Sequence, residues 1–234
     1  MQAVIPAAGR GSRLGALTAD RPKGLVTVGD RPLLAAVFDR AVEAGADELV
    51  VVIGYEGAQI VERFGDSFRE TPITYVHQRE RRGLAHAVLQ AEPHVDGTFL
   101  VVNGDNVFAE SLQPAVAALE RDGVDGVIAV EDVSRETASR TGVVELAGET
   151  VARIVEKPTA PSSTLVTTGC FVLPEETFEA CKLVQPSAEG EYQLSEAVSL
   201  LARAGHAIAT VRVGERVNVN TLADIECAEA LVQE

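Results

Sequence analysis

The chain predicts an α/β fold: a Rossmann-like, mostly parallel sheet flanked by helices. Three observations carry that prediction. Apolar runs of strand length alternate with amphipathic stretches of helical periodicity, the connections between them are short, and 234 residues suffice for one good-sized domain with a generous core. Such alternation builds parallel strands through right-handed crossovers, which places ligands at the carboxyl ends of the strands.

The elements follow in order. Strands are expected at residues 3–6, 48–53, 73–76, 99–102 and 126–130. Between them the helical period appears at residues 32–44, 58–64, 83–91 and 112–121. Beyond about residue 130 the pattern changes. Residues 142–146 and 151–155 read as paired strands around the turn Ala147-Gly148-Glu149, and residues 165–173 as a third strand. Helices follow at 175–182, 193–204 and 222–232, with a strand at 207–213 between the last two. The chain therefore reads as a single domain over residues 1–234, with halves of about 1–130 and about 131–234, the second containing a small subregion of its own. No linker, repeat or low-complexity tract divides it.

Composition removes whole classes of partner. A net charge of −15 argues against nucleic acid. No apolar stretch approaches the roughly 20 residues of a membrane span. The first apolar run lacks a basic leader and reads as a buried strand, not a signal peptide. Cys170, Cys181 and Cys227 are odd in number and lack metal-like spacing, so they read as reduced thiols of a cytoplasmic protein. Of the 20 lysines and arginines only Lys23, Lys157 and Lys182 are lysine, leaving seventeen arginines. An acidic, lysine-poor surface suits high salt, which points to a halophilic source. High-GC codon usage would explain the arginine excess by itself, and the acidity less naturally.

The densest chemistry lies near the N-terminus. The first strand gives way to Ala7-Ala8-Gly9-Arg10-Gly11-Ser12, then Arg13, with Lys23 ten residues beyond. Small residues let backbone approach a ligand closely, and successive free N–H groups form an anion-binding concavity. Arg13 and Lys23 add the charge that phosphate oxygens need. The loop reads as a nucleoside triphosphate site. It is not a Walker loop, because no Gly-Lys-Ser/Thr closes it. Leu14 stands where a dinucleotide fingerprint wants a third Gly or Ala, which disfavours a nicotinamide oxidoreductase.

Three further places carry chemistry, each with an ordinary alternative. Gly104-Asp105-Asn106 closes an apolar run, so Asp105 either holds Mg²⁺ opposite the phosphate loop or caps a turn. Gln78 and Gly83-Leu84-Ala85-His86 either read a pyrimidine edge or form a polar loop into an Ala-rich helix. His86 reads as structural. Glu156-Lys157-Pro158 is either an exposed ion pair or part of an acceptor site.

Gly-x-Gly-Ser-Arg-Leu at residues 9–14 and Arg-Pro-Lys-x-Leu at 21–25 resemble the signature of the sugar-1-phosphate nucleotidylyltransferases, which include glucose-1-phosphate thymidylyl- and uridylyltransferases. The resemblance covers most of the chain. It implies a nucleotidyltransferase-type, GT-A-like fold with a nucleotide half and a C-terminal acceptor half. It also implies the reaction of a nucleoside triphosphate (dTTP or UTP) with a sugar 1-phosphate (glucose 1-phosphate). In-line attack on the α-phosphorus then yields a nucleoside diphosphate sugar and pyrophosphate. On the same basis Ala7, Ala8, Gly9, Gly11, Ser12, Arg13, Lys23, Gln78, Gly83 and Asp105 bind the nucleotide. Gly142, Glu156, Lys157, Thr168, Gly169 and Glu191 bind the sugar phosphate, and Arg13, Lys23, Asp105 and Lys157 carry catalysis.

Mg²⁺ is the implied cofactor, on Asp105 and a second ligand near the C-terminus. There the family usually has Asp-x-x-Thr, whereas this chain has Asn218-Val219-Asn220-Thr221, so Asn218 stands in place of the acid. An amide oxygen ligates Mg²⁺ without charge, and metal affinity should fall. Asp224 is a nearby substitute acid, and a degenerate homologue is a third reading. The aromatic residue often found just upstream is replaced by Arg216-Val217. The resemblance allows a homo-oligomer, and the β-helix domain of some relatives is not expected. Two alternatives stay open: a different phosphorylated acceptor such as phosphocholine, and a catalytically weak regulatory homologue that binds nucleotide sugar.

Overall fold

The computed structural model describes residues 1–233. Strand β1 (Gln2–Pro6) leads through 3-10 turns at Ser12–Thr18 and Lys23–Leu25 to the short hairpin β2 (Thr27–Val28) and β3 (Arg31–Pro32). Helix α1 (Leu33–Glu43) follows; its buried Leu33, Leu34, Val37, Phe38 and Ala41 fall on one helical face. Next come β4 (Glu48–Ile53), α2 (Gly57–Phe64), β5 (Ser67–Phe68), β6 (Thr71–His77) and α3 (Leu84–Leu89). Then β7 (Phe99–Val102), β8 (Asn106–Phe108), α4 (Gln113–Ala117) and β9 (Gly126–Asp132) complete the first half. The second half holds α5 (Arg135–Ala138), β10 (Gly142–Ala147), β11 (Thr150–Glu156), β12 (Leu165–Leu173), α6 (Thr177–Leu183) and α7 (Leu194–Arg203). It ends with β13 (Ile208–Arg212), β14 (Arg216–Asn218) and α8 (Leu222–Gln233).

One ten-stranded sheet runs through both halves in the order β10-β11-β13-β9-β12-β7-β1-β4-β6-β5. It is a mixed sheet. Parallel pairing runs unbroken through β7, β1, β4 and β6, where helical crossovers supply the return path. At β12 it turns antiparallel, to β7 on one side and β9 on the other. The mostly parallel character expected from the alternation thus belongs to the first half. In the second half the β10–β11 hairpin and β12 bring in antiparallel neighbours, while β13, reached through α6 and α7, returns parallel to β9.

Period-two alternation feeds two cores, one on each face. Val4, Val50, Val52 and Val101 pack with Ala85, Val88, Phe178, Leu194 and Ala197 from α3, α6 and α7. Ala3, Ile5, Leu49, Val51, Leu100 and Val102 pack with Val37, Phe38 and Ala115 from α1 and α4. Each fully buried Val, Leu, Ile or Phe contributes about 1.5–3 kcal/mol of transfer free energy. Phe99 and Phe178 stack with ring centroids 4.8 Å apart, joining sheet to helix layer. The cysteines are free; burial pushes the Cys170 and Cys181 thiols up to about 12, so both stay protonated. Among the described residues no helix is long and apolar enough to cross a membrane.

The elements that sequence does not announce are the shortest. The β2–β3 hairpin, β5, α5 and the β8–β14 ribbon span two to four residues, too few to display a period. The helix expected at 112–121 is α-helical only to Ala117 and finishes as a 3-10 turn, Ala118–Glu120. The ribbon matters most for position. It pairs Asn218 with Asn106, and the Val219 N–H donates to the Asp105 carbonyl at 2.9 Å, which draws the C-terminal segment against the end of β7. Arg40 on α1 donates to the carbonyls of Phe108 and Ala109, fixing β8 from the other side.

Candidate active site

The carboxyl ends of β1, β6 and β7 open into a cleft of about 560 Å³. All ten residues expected to bind nucleotide line it: Ala7, Ala8, Gly9, Gly11, Ser12, Arg13, Lys23, Gln78, Gly83 and Asp105. The N–H groups of Ala8, Gly9, Arg10 and Gly11 find no acceptor within the described protein, so they remain free for an anion. Gly11, at φ +69°, is necessary to the loop: a Cβ there would stand 2.9 Å from Lys23 Cβ. Its absence lets the Lys23 stem lie along the loop, where the residue is only 8% exposed.

Lys23 Nζ donates to Asp105 Oδ2 at 2.8 Å and to Asn220 Oδ1 at 3.0 Å. A carboxylate oxygen and an amide oxygen therefore converge on one positive charge. Hard oxygens in that arrangement suit Mg²⁺, which takes one or two protein ligands and completes its shell with water and phosphate. Among the described residues no group of three or more His, Cys, Asp or Glu could form a cage made by protein alone. The donor set fits a metal shared with a triphosphate.

Asn218 lies differently from Asn220. It is exposed, does not line the cleft, and its Oδ1 accepts from Asn220 Nδ2 at 2.7 Å. Asp224 is not a spare acid: its Oδ2 accepts the N–H groups of Asn220 and Thr221, while Thr221 Oγ1 accepts the Asp224 N–H. This reciprocal cap on α8 holds Asn220 toward the cleft. Arg216, where an aromatic residue was expected, donates to Asn106 Oδ1 and Glu131 Oε1 and ties the β14 ribbon down.

The acceptor residues divide. Glu191 lines the cleft. Gly142, Glu156 and Lys157 form a second cluster beyond its wall; a Cβ on Gly142 would stand 2.9 Å from Glu156 Oε1, and Lys157 Nζ pairs with Glu189 at 2.7 Å. The loop bearing Glu189 also carries Glu191, so the cluster adjoins the cleft through it. Thr168 turns away: it is 1% exposed and its hydroxyl donates to the Ala129 carbonyl. The register shift between Thr167 and Phe171 explains this, and Gly169, at φ +79°, faces the Asn103 and Asn106 amides instead. Arg81, Asn103 and Asn220 line the cleft without having been singled out by sequence. A signal existed only for Asn220, which immediately precedes the Thr-x-x-Asp cap.

Glu156 retains exposed surface, yet its carboxyl lies among crowded neighbours. Desolvation raises its pKa above the ordinary 4.5, against opposing contributions from Ser195 and Lys157. A carboxyl with a raised folded pKa contributes stability that is fully present below 4.5 and lost as pH rises through the folded value. Glu156→Gln should therefore gain melting temperature relative to wild type on going from about pH 4 to about pH 7. Melting scans at both values check this, and a constant gap would show that the crowding is not felt.

A phosphate-type loop, a buried lysine and an oxygen pair at strand ends define a nucleotide-handling α/β transferase. The chain belongs to the nucleotidyl transferase family, whose model matches residues 2–215. It is 45% identical over 237 residues to the UTP–glucose-1-phosphate uridylyltransferase AglF of Haloferax volcanii, covering 100% of this chain and 97% of that one. It is 30% identical to the bifunctional protein GlmU of Methanococcus aeolicus over 87% of this chain, but spans only 47% of GlmU. Among solved structures, a UDP-glucose pyrophosphorylase complexed with UDP-glucose superposes with a TM-score of 0.88 at 24% identity, covering 98% and 97% of the two chains. A UTP-bound UGPase from Acinetobacter baumannii gives 0.86 at 24%, over 98% and 92%. At such identity these structures show the fold.

Proposed function

We propose that this protein is a sugar-1-phosphate nucleotidylyltransferase, with UTP and glucose 1-phosphate as its first candidate substrates. The observation that carries the reading is one cleft in which free loop N–H groups, Arg13, Lys23 and Asp105 face each other. The name of the 45% identical Haloferax relative supports the choice of substrates. The sugar phosphate oxygen forms a new bond to the α-phosphorus as the α–β bridge bond breaks and pyrophosphate departs. That oxygen is already anionic near neutral pH, so no general base is required. Positioning and charge neutralisation carry the rate. The loop N–H groups and Arg13 take the charge of the departing pyrophosphate, Lys23 the charge at the α-phosphoryl oxygens, and Lys157 orients the attacking phosphate. Asp105 with Asn220 would hold Mg²⁺, which supplies further charge neutralisation to the triphosphate when bound.

The test is pyrophosphate release in high potassium chloride, crossing five nucleoside triphosphates with several sugar 1-phosphates. Release should require both substrates and fall to background when a chelator removes the metal. High salt belongs in the test because the charge of −15 and three lysines fit a halophilic, cytoplasmic enzyme. A regulatory homologue is the second reading, favoured by the amides that replace an acid beside Asp105. It would bind the nucleotide sugar and release nothing.

A further inference from the structure

We infer that His86 is a positioning residue that sets the cleft's choice of base, by fixing which end of the Gln78 amide faces the nucleotide. The inference rests on reading the cleft as a nucleotide site and deepens it to a keto-pyrimidine class.

Gln78 lines the cleft but is only 4% exposed, so its amide makes most of its hydrogen bonds to protein. Its Nε2 lies 3.2 Å from the Gly83 carbonyl and 2.9 Å from His86 Nδ1. An amide nitrogen has two N–H groups, and both are spent on these acceptors. The arrangement requires a neutral imidazole with its proton on Nε2, because a protonated Nδ1 would oppose the amide N–H. Burial first, and the Arg82 charge second, lower the His86 pKa, which favours that neutral form. What remains of Gln78 on the cleft wall is Oε1, an acceptor only. The N–H of Gly83, which lines the same cleft, donates to nothing in the described protein.

An acceptor next to a free donor matches one pyrimidine pattern. Uracil and thymine present an N3–H donor flanked by carbonyl acceptors. Cytosine presents a bare N3 acceptor beside an amino donor, so both contacts would be mismatched. A mismatched buried polar pair is costly, which is how a hydrogen-bonding site discriminates far more strongly than an apolar one. Without the imidazole acceptor only the longer bond to the Gly83 carbonyl holds the amide; it can then turn over more readily and offer its N–H to the base, and the preference should fade. His86 need not touch the nucleotide to do this.

The experiment measures UTP and CTP binding by calorimetry to wild type, His86→Leu and His86→Asn. Binding is used rather than turnover, so the outcome does not depend on whether transfer occurs. Wild type should prefer UTP, and His86→Leu should lose about tenfold or more of that preference. His86→Asn places a carbonyl oxygen where Nδ1 stood and should restore most of it. A merely structural role would weaken both nucleotides alike and leave the ratio unchanged, which overturns the inference. So does a wild type that binds UTP and CTP equally, even if it releases pyrophosphate normally. Should His86→Leu fail to fold, nitrogen NMR of the four wild-type histidines decides. The proton of His86 must sit on Nε2 at neutral pH, and a proton on Nδ1 sinks the inference.

Discussion

Replacing Lys23 by alanine should lower turnover by about 10²–10³-fold, the usual cost of removing one preorganised charge from a developing transition state. The KM for sugar 1-phosphate should stay within about twofold, because the acceptor contacts proposed above lie on the Glu191 and Lys157 side. Lys23 is the most buried cation of the cleft, held at 2.8 Å from Asp105 and 3.0 Å from Asn220. Its charge therefore needs little reorganisation when the α-phosphoryl group arrives. The Asp105 side chain keeps 30% of its surface exposed, so losing its partner leaves it hydrated and the fold intact. Initial rates across both substrate concentrations check this. Normal turnover, or a loss confined to the sugar phosphate KM, would remove Lys23 from the reaction.

Gly83→Ala should cost about 3 kcal/mol of stability, combining backbone strain of about 1–3 kcal/mol with lost hydrogen bonds of about 1 kcal/mol each. For a chain of this size that is a drop of about 6–12 °C in melting temperature. Gly83 has φ +100°, and a Cβ on it would stand 2.6 Å from the Tyr192 carbonyl oxygen and 2.7 Å from its nitrogen. Those same atoms bond Ala85 N–H and the Arg82 carbonyl, which is how the loop beside Gln78 is stitched to the segment carrying Glu191. Nucleotide binding should weaken as well, since the stitch joins two segments that both line the cleft. Gly148→Ala is the control: its φ is +67°, but no atom stands within 4 Å of an added Cβ. It should show strain alone, and equal losses in the two variants would mean that the close approach to Tyr192 is not what matters.

Sequence by itself reached far along the nucleotide side. The alternation of apolar runs with helical periods found β1, β4, β6 and β7 because a buried strand must be apolar whatever its neighbours are. The loop from Ala7 to Arg13 was legible because anion binding by backbone needs small residues that are contiguous in the chain. Lys23 and Asp105 were legible through family motifs, and the fold brings them within 2.8 Å across 82 residues of sequence. Contiguous chemistry survives reading in one dimension.

Tertiary structure decided the rest. Asn220 rather than Asn218 meets Lys23, because the ribbon of β8 with β14 and the Asp224 cap turn that side chain inward, and a three-residue strand leaves no period to read. Thr168 faces the core because a register shift between Thr167 and Phe171 reverses the alternation. The Gln78 amide acquires a direction only when the Gly83 carbonyl and His86, in the first turn of the next helix, accept its hydrogen bonds. Sequence determined which residues could do the chemistry, since that follows from side-chain type and local spacing. Which of them face the cleft, and with which atom, depends on strand register and hydrogen bonds between distant segments, and only the folded chain fixes those.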